Sequence, residues 1–231
     1  MNEKRWRWGV LSTANIGRTR FIPALQSMPN VEVVAVASRN LQAAEVFAEE
    51  CGIPRACGSY QELLEQPDID ILYNPSPNHL HVPLSIQALE HGKHVLCEKP
   101  IALTTRELDQ LVQAQQQYPL AWVMEGFMYR FHPQWHYICE LIRDQIIGEV
   151  THIHSIFTYF NDDPQNVRNQ DDLGGGGLLD IGCYCVDVAK MIYNGNPIKA
   201  QSHIDYDSNF GTDWLTTGLL EFERGTATLV C

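Results

Sequence analysis

The sequence predicts an α/β fold in two parts. A parallel sheet with helices on both faces comes first, then an α+β unit on an open, mainly antiparallel sheet. Three observations predict it. Over the first half, short apolar runs alternate with longer stretches of helical periodicity. Past residue 125 the alternation gives way to a different order of helix, loop and strands. The 231 residues, 45% hydrophobic and 19% charged, are enough for one large core or two modest ones and exclude intrinsic disorder.

Taken in order, residues 8–11, 31–37, 69–73, 94–97 and 121–124 read as short buried strands, and 41–50, 80–91 and 105–118 as helices between them. Gly52 and Gly92 stand just past helical stretches, where a capping glycine belongs. The expected domains are 1–124 and 125–231. In the second, a helix at 133–143 precedes a strand at 150–159 and a polar loop at 161–172. Four glycines then lead into a helix at 179–193, and 198–206, 214–221 and 226–231 read as successive antiparallel strands. The chain stops inside that last strand. An unfinished strand would leave an open sheet edge, so the second sheet is expected to be incomplete and the chain shortened at its C-terminus.

Lys and Arg number 16 against 28 Asp and Glu, a net charge of −12, which argues against broad contact with a nucleic-acid backbone. No apolar run approaches the ~20 residues of a membrane span, and the start, MNEKRWRWGV, has no apolar signal core. A cytoplasmic protein is expected. Cys51, Cys57, Cys97, Cys139, Cys183, Cys185 and Cys231 form no CxxC pair, so reduced thiols are expected rather than a zinc site or disulfide scaffold.

The first strand runs into Ser12-Thr13-Ala14-Asn15-Ile16-Gly17. Aligned on G-x-G-x-x-G, the glycine positions hold Ser12, Ala14 and Gly17. That pattern serves a tight turn, close backbone approach to a pyrophosphate and close helix–strand packing. On this run alone, a small-residue turn without a ligand is an equally good reading. The second strand is sharper. An NAD site places an acid about 20 residues past the glycines to bind the ribose 2′-hydroxyl, but here the strand ends Val36-Ala37-Ser38-Arg39. Arg39 can pair with a 2′-phosphate through two charge-assisted hydrogen bonds and Ser38 can add a hydroxyl, so NADP is expected over NAD. Asn74, Pro75, Asn78 and His81 follow the strand at 69–73 and Glu98-Lys99-Pro100 the strand at 94–97, at the strand ends where ligands of open α/β sheets bind.

The runs GVLSTANIG, PNHLHVPLSIQALEHGKHVLCEKP and LGGGGLLDIGCYCVD together resemble the Gfo/Idh/MocA oxidoreductases. Within that family the chain is most similar to the branch of NADP-dependent D-xylose dehydrogenases and trans-dihydrodiol dehydrogenases. The resemblance implies a Rossmann dinucleotide-binding domain followed by a substrate domain. It implies hydride transfer between the nicotinamide and a hydroxyl-bearing carbon of an aldose, cyclic polyol or dihydrodiol. It puts Lys99 beside the nicotinamide and the reacting oxygen, has Glu98 place the nicotinamide ribose, makes Tyr184 the acid/base and gives Asp180 to the substrate pocket. From spacing alone, Asp180 and Tyr184 could equally stabilise a helix start and pack in a core. A phenol with a pKa near 10 is a poor base at pH 7, and the Lys99 ammonium would favour its phenolate.

Arg168 matches a family loop arginine and is expected at the substrate. Arg130, in Met-Tyr-Arg-Phe-His-Pro, could face cofactor or brace the domain junction. His132 and His136, like His152 and His154, lack a neighbouring acid in a ligand pattern, so no metal is expected. Trp6 and Trp8 read as packing residues. A homo-oligomer formed through the C-terminal sheet is the expected assembly.

Overall fold

A computed structural model describes residues 4–231. The chain divides between Gly126 and Phe127 into two units. The first carries six parallel strands, β1 (Trp6–Leu11), β2 (Val31–Ala37), β3 (Arg55–Cys57), β4 (Ile71–Asn74), β5 (His94–Cys97) and β6 (Val123–Glu125), ordered β3-β2-β1-β4-β5-β6. The connections are α1 (Ile22–Gln26), α2 (Leu41–Cys51), α3 (Tyr60–Leu64), α4 (His81–Glu90) and α5 (Thr105–Gln117). Strand order reverses between β1 and β4. In such sheets the crevice at the carboxyl ends of those two strands is the ligand site.

Local chemistry starts and stops these helices. Asn40, Ser59 and Thr104 cap α2, α3 and α5 by accepting the N–H three residues on, and Gly52 ends α2 in the left-handed region at φ 64°. The strands are apolar on both faces, as parallel strands covered by helices must be. One core gathers Leu11, Leu63, Leu72, Ala88 and Val95, the other Val10, Ile22, Val36, Phe47 and Tyr73. Each such large side chain contributes about 1.5–3 kcal/mol on burial. Three elements escape the apolar pattern. The strand β3 has three residues, and α1 and α3 have five each.

The second unit holds α6 (Pro133–Arg143), β7 (His152–Ile156), α7 (Cys183–Tyr193), β8 (Lys199–Tyr206), β9 (Asp213–Phe222) and β10 (Gly225–Val230). Its sheet order is β7-β10-β9-β8, and Ile181, Cys185 and Ala189 pack against Leu220, Phe222, Ala227 and Leu229. β8, β9 and β10 are antiparallel as expected, but β7 runs parallel to β10, so the sheet is mixed. The expected strand at 150–159 shortens to 152–156 because only those residues pair with β10. The expectation that the last strand forms an open edge is also corrected. β10 lies inside the sheet, bonded on both sides, and β7 and β8 are the edges. Among the described residues no helix is long and apolar enough to cross a membrane.

Candidate active site

Ser12 leaves β1 at φ 77°, a backbone that glycine adopts freely and serine rarely does. Its N–H donates to Ala37 O (2.9 Å) and its hydroxyl to Pro75 O (3.3 Å), so one turn ties the ends of β1, β2 and β4 together. Thr13 and Ala14 are half-buried, and helix begins at Asn15 and Ile16 before a π-helical turn at Gly17–Phe21. A Cβ on Gly17 would lie 3.8 Å from Phe47 and Tyr73, ordinary contact, so packing alone does not demand glycine there.

At the tip of β2, Ser38 is half-buried and accepts the Asn40 N–H (3.3 Å), while Arg39 is exposed. The Arg39 charge acts on the Tyr60 phenol, opposing the burial that pushes that phenol up. The donor set of this edge fits a phosphorylated dinucleotide. It offers hydroxyls at Ser12, Thr13 and Ser38 and a guanidinium at Arg39, with no carboxylate on the β2 tip where a 2′-phosphate would be repelled.

The loops after β4 and β5 are joined by a buried polar network. Asn74, fully buried, accepts Ser76 Oγ (2.6 Å), and its own carbonyl accepts the Glu98 N–H (3.0 Å). Glu98 Oε1 accepts the Tyr73 phenol (2.6 Å), and the Tyr73 ring stacks on Phe21 with centroids 3.7 Å apart. Lys99 follows, half-buried. Pro75 and Asn78 lie on the loop that rises from β4. His81, expected among the cofactor contacts, has no exposed surface; its two ring nitrogens meet Pro100 O at 2.7 Å and Ser76 O at 2.8 Å.

In the second unit Asp180 is 8% exposed, accepting the Tyr159 phenol (2.6 Å) and pairing with Arg168 Nε (2.9 Å). Burial and then the Asp180 hydrogen bond push Tyr159 up to about 12. Burial works against the Arg168 charge, but Asp180 outweighs it, and Arg168 interacts electrostatically with Tyr184 as well. Asp180 sits in a π-helical turn, Leu178–Gly182, and Tyr184 in the first turn of α7, so their spacing of four spans two helix types. The Tyr184 ring is half-buried among Phe127, Tyr129 and Phe157, with centroids 5.3, 5.8 and 5.7 Å away.

The glycine run explains how this segment is held. Gly175 N–H donates to Gln170 O (2.9 Å) and Gly176 N–H to Arg168 O (2.8 Å), while Asp213 accepts the Leu178 N–H (2.7 Å) and the Thr216 hydroxyl (3.0 Å). A Cβ on Gly175 would fall 2.4 Å from Arg168 O, and one on Gly176, at φ 112°, 2.0 Å from Asp213 Oδ1. The backbone is gripped on both sides, and the grip also sets the loop carrying Arg168.

The side-chain contacts of Arg130 lie within its own unit. Its guanidinium pairs with both Asp187 oxygens (2.8 and 2.7 Å), and Asp187 also accepts the Tyr129 phenol. His132 caps α6, His136 meets Arg130 O, and His152 and His154 bond Thr226 and Thr228. Trp8 packs edge-on against Phe21, and Trp6 against His94. Among the described residues no group of three or more His, Cys, Asp or Glu is placed to hold a metal. Sequence reasoning missed Tyr73, Tyr159 and Asp213, whose partners lie 25, 21 and 35 residues away, beyond the reach of any local motif.

Residues 6–127 match the model described as the oxidoreductase family, NAD-binding Rossmann fold, and residues 135–231 match the GFO/IDH/MocA C-terminal domain. The trans-1,2-dihydrobenzene-1,2-diol dehydrogenase of Xenopus laevis is 37% identical over 94% of this chain and 65% of its own. D-xylose 1-dehydrogenase (NADP(+)) 2 of Haloferax volcanii is 36% identical over 96% of this chain and 68% of its own. KijD10, a 3-ketoreductase of Actinomadura kijaniata solved with NADP and TDP-benzene, superposes with a TM-score of 0.91 at 32% identity, covering 98% of this chain and 70% of that one. The chain thus spans about two thirds of the length of such relatives. With both of its units matched, the chain belongs to the Gfo/Idh/MocA oxidoreductase family.

Proposed function

We propose that the chain is an NADP-dependent oxidoreductase acting on a hydroxyl-bearing carbon of an aldose, cyclic polyol or dihydrodiol, with NADP on the first unit and substrate on the second. The observation that carries this reading is the Asp180 cluster. A nearly buried carboxylate, held by Tyr159 and Arg168, opens the helix whose next turn presents Tyr184. The relatives named for xylose and dihydrodiol, and the NADP-bound ketoreductase, support the same chemistry.

When bound, NADP supplies the hydride acceptor or donor at nicotinamide C4. The chain's own residues do the rest. Ser38 and Arg39 bind the 2′-phosphate, and the turn from Ser12 through Thr13, Ala14, Asn15 and Ile16 to Gly17 receives the pyrophosphate. Asn78 lines the nicotinamide side, on the loop that buried Asn74 and Pro75 hold from beneath, and Glu98, pinned by Tyr73, orients the ribose. Asp180 accepts a substrate hydroxyl and Arg168 steadies that carboxylate. Tyr184 exchanges the proton of the reacting hydroxyl, and the Arg168 charge favours its phenolate. The cysteine pattern, with no CxxC pair, supports a reducing, cytoplasmic setting. Exposed Ile156 and Leu219 support self-association through the second sheet.

Turnover with a panel of aldoses and dihydrodiols tests the reading. Tyr184→Phe should lower kcat by about 100-fold or more, in the range of a lost general base, and leave NADPH affinity within twofold. Equal loss of both would refute the division of labour. NADPH binding without turnover on any substrate would leave a binding protein and not an enzyme.

A further inference from the structure

The polar network beneath the cofactor edge holds one group that the proposed chemistry does not use. His81 opens α4 with no exposed surface, so it cannot touch a ligand. Both ring nitrogens point at main-chain carbonyls, Nδ1 at Pro100 O (2.7 Å) and Nε2 at Ser76 O (2.8 Å). Those carbonyls belong to the two loops that carry Asn74–Asn78 and Glu98–Lys99. The backbone of His81 joins in, since its carbonyl accepts Asn74 Nδ2 (3.2 Å). One side chain therefore spans both loops from below.

We infer that His81 is a positioning residue: its ring, set between the Ser76 and Pro100 carbonyls, and its own carbonyl, which accepts Asn74 Nδ2, fix the backbone from which Lys99 projects. The inference rests on the assignment of Lys99 to the reacting centre. A neutral imidazole has one N–H and satisfies one carbonyl, whereas an imidazolium satisfies both. Burial, helped by the charges of Lys99 and His79, outweighs the pull of the two carbonyls and holds the ring pKa below the ordinary histidine value, so the neutral ring donates to one of the two carbonyls at a time. The ring cannot be replaced by an apolar side chain without leaving a buried carbonyl unpaired. Tyr73 and Glu125 hold the same edge from either side, by bonds to Glu98 Oε1 and from the Ile101 N–H (2.8 Å). The His81 ring meets a carbonyl of each loop.

Amide hydrogen exchange on the whole chain tests the brace without cofactor or substrate. His81→Phe keeps the ring volume and removes both nitrogens; His81→Gln keeps a donor and an acceptor. Exchange at Ser76, Asn78, Glu98, Lys99 and Ile101 should rise at least tenfold in His81→Phe, with β1 and β2 unchanged, and His81→Gln should recover part of the protection. In turnover, kcat should fall at least tenfold with substrate KM changed less than threefold. Faster exchange everywhere in proportion, unchanged exchange in both variants, or failure of both variants to fold would overturn the inference. So would local loosening with full kcat while Lys99→Met abolishes turnover. If instead Lys99→Met retains full turnover, the role given to Lys99 falls, and the exchange result still decides whether His81 is the brace.

Discussion

Replacing Arg39 with alanine should separate two cofactors that differ by one phosphate. The guanidinium is exposed at the end of β2, so its loss should leave the fold intact. A bidentate, charge-assisted contact to phosphate contributes about 1.5–3 kcal/mol. An exposed arginine keeps its competition with water, which puts the expected value near the low end, about 1.5–2 kcal/mol. At roughly 1.4 kcal/mol per tenfold, NADPH should bind about 10–30-fold more weakly. NADH has no 2′-phosphate and should bind Arg39→Ala as it binds the parent. Parallel fluorescence titrations with the two nucleotides, at fixed ionic strength, measure this directly. Matched losses for NADPH and NADH would mean that Arg39 supports the loop and reads no phosphate.

Three further outcomes are expected. Asp68 is drawn below the ordinary carboxylate range because Arg55 and Arg7 outweigh its partial burial, and Asp70 because the Arg7 N–H and Lys4 do the same. Both therefore lend stability above about pH 4 that drains away as pH falls through their folded values. The Tm of Asp68→Asn should be lower near neutrality and fall less steeply in acid; an unchanged acid slope would remove this network from the account. Ser12→Gly relieves a left-handed serine and should raise Tm by about 2–4 °C, the equivalent of about 1 kcal/mol in a chain this long; a lower Tm would show that the hydroxyl contact to Pro75 matters more. Gly176→Ala should destabilise the second unit by about 3 kcal/mol or more, read by chemical denaturation, because the added carbon collides with Asp213 and meets a disfavoured φ. A loss under 1 kcal/mol would mean that the grip on the glycine run is loose.

Periodic features were legible in the sequence, and features that depend on distant partners were not. α2, α4 and α5 announce themselves because one apolar face repeats along several turns, and β2 because it is a nearly continuous apolar run. β3 has three residues, too few to repeat anything, and its place beside β2 comes from pairing alone. The direction of β7 is likewise set by its partner β10 and not by its own residues. At the site, Ser12, Arg39, Lys99, Asp180 and Tyr184 stand in recognisable runs. His81 stands in one too, but only its burial and two carbonyl partners separate contact from support. Tyr159 carries no local mark because its role is fixed by a carboxylate on another segment.

The parallel pairing of β7 with β10 has a consequence in time. His152 and Thr226 are 74 residues apart, so at translation rates of about 5–20 residues per second β7 leaves the ribosome roughly 4–15 s before its partner. Through that interval an exposed strand edge waits in a chain whose first unit already holds all six of its strands. The second sheet must then form late and nearly at once, because β10 is the strand that joins β7 to β9. The glycine run and Asp213 can meet only once β9 has been made, so the proposed catalytic helix takes its final seat well after its own residues have left the ribosome.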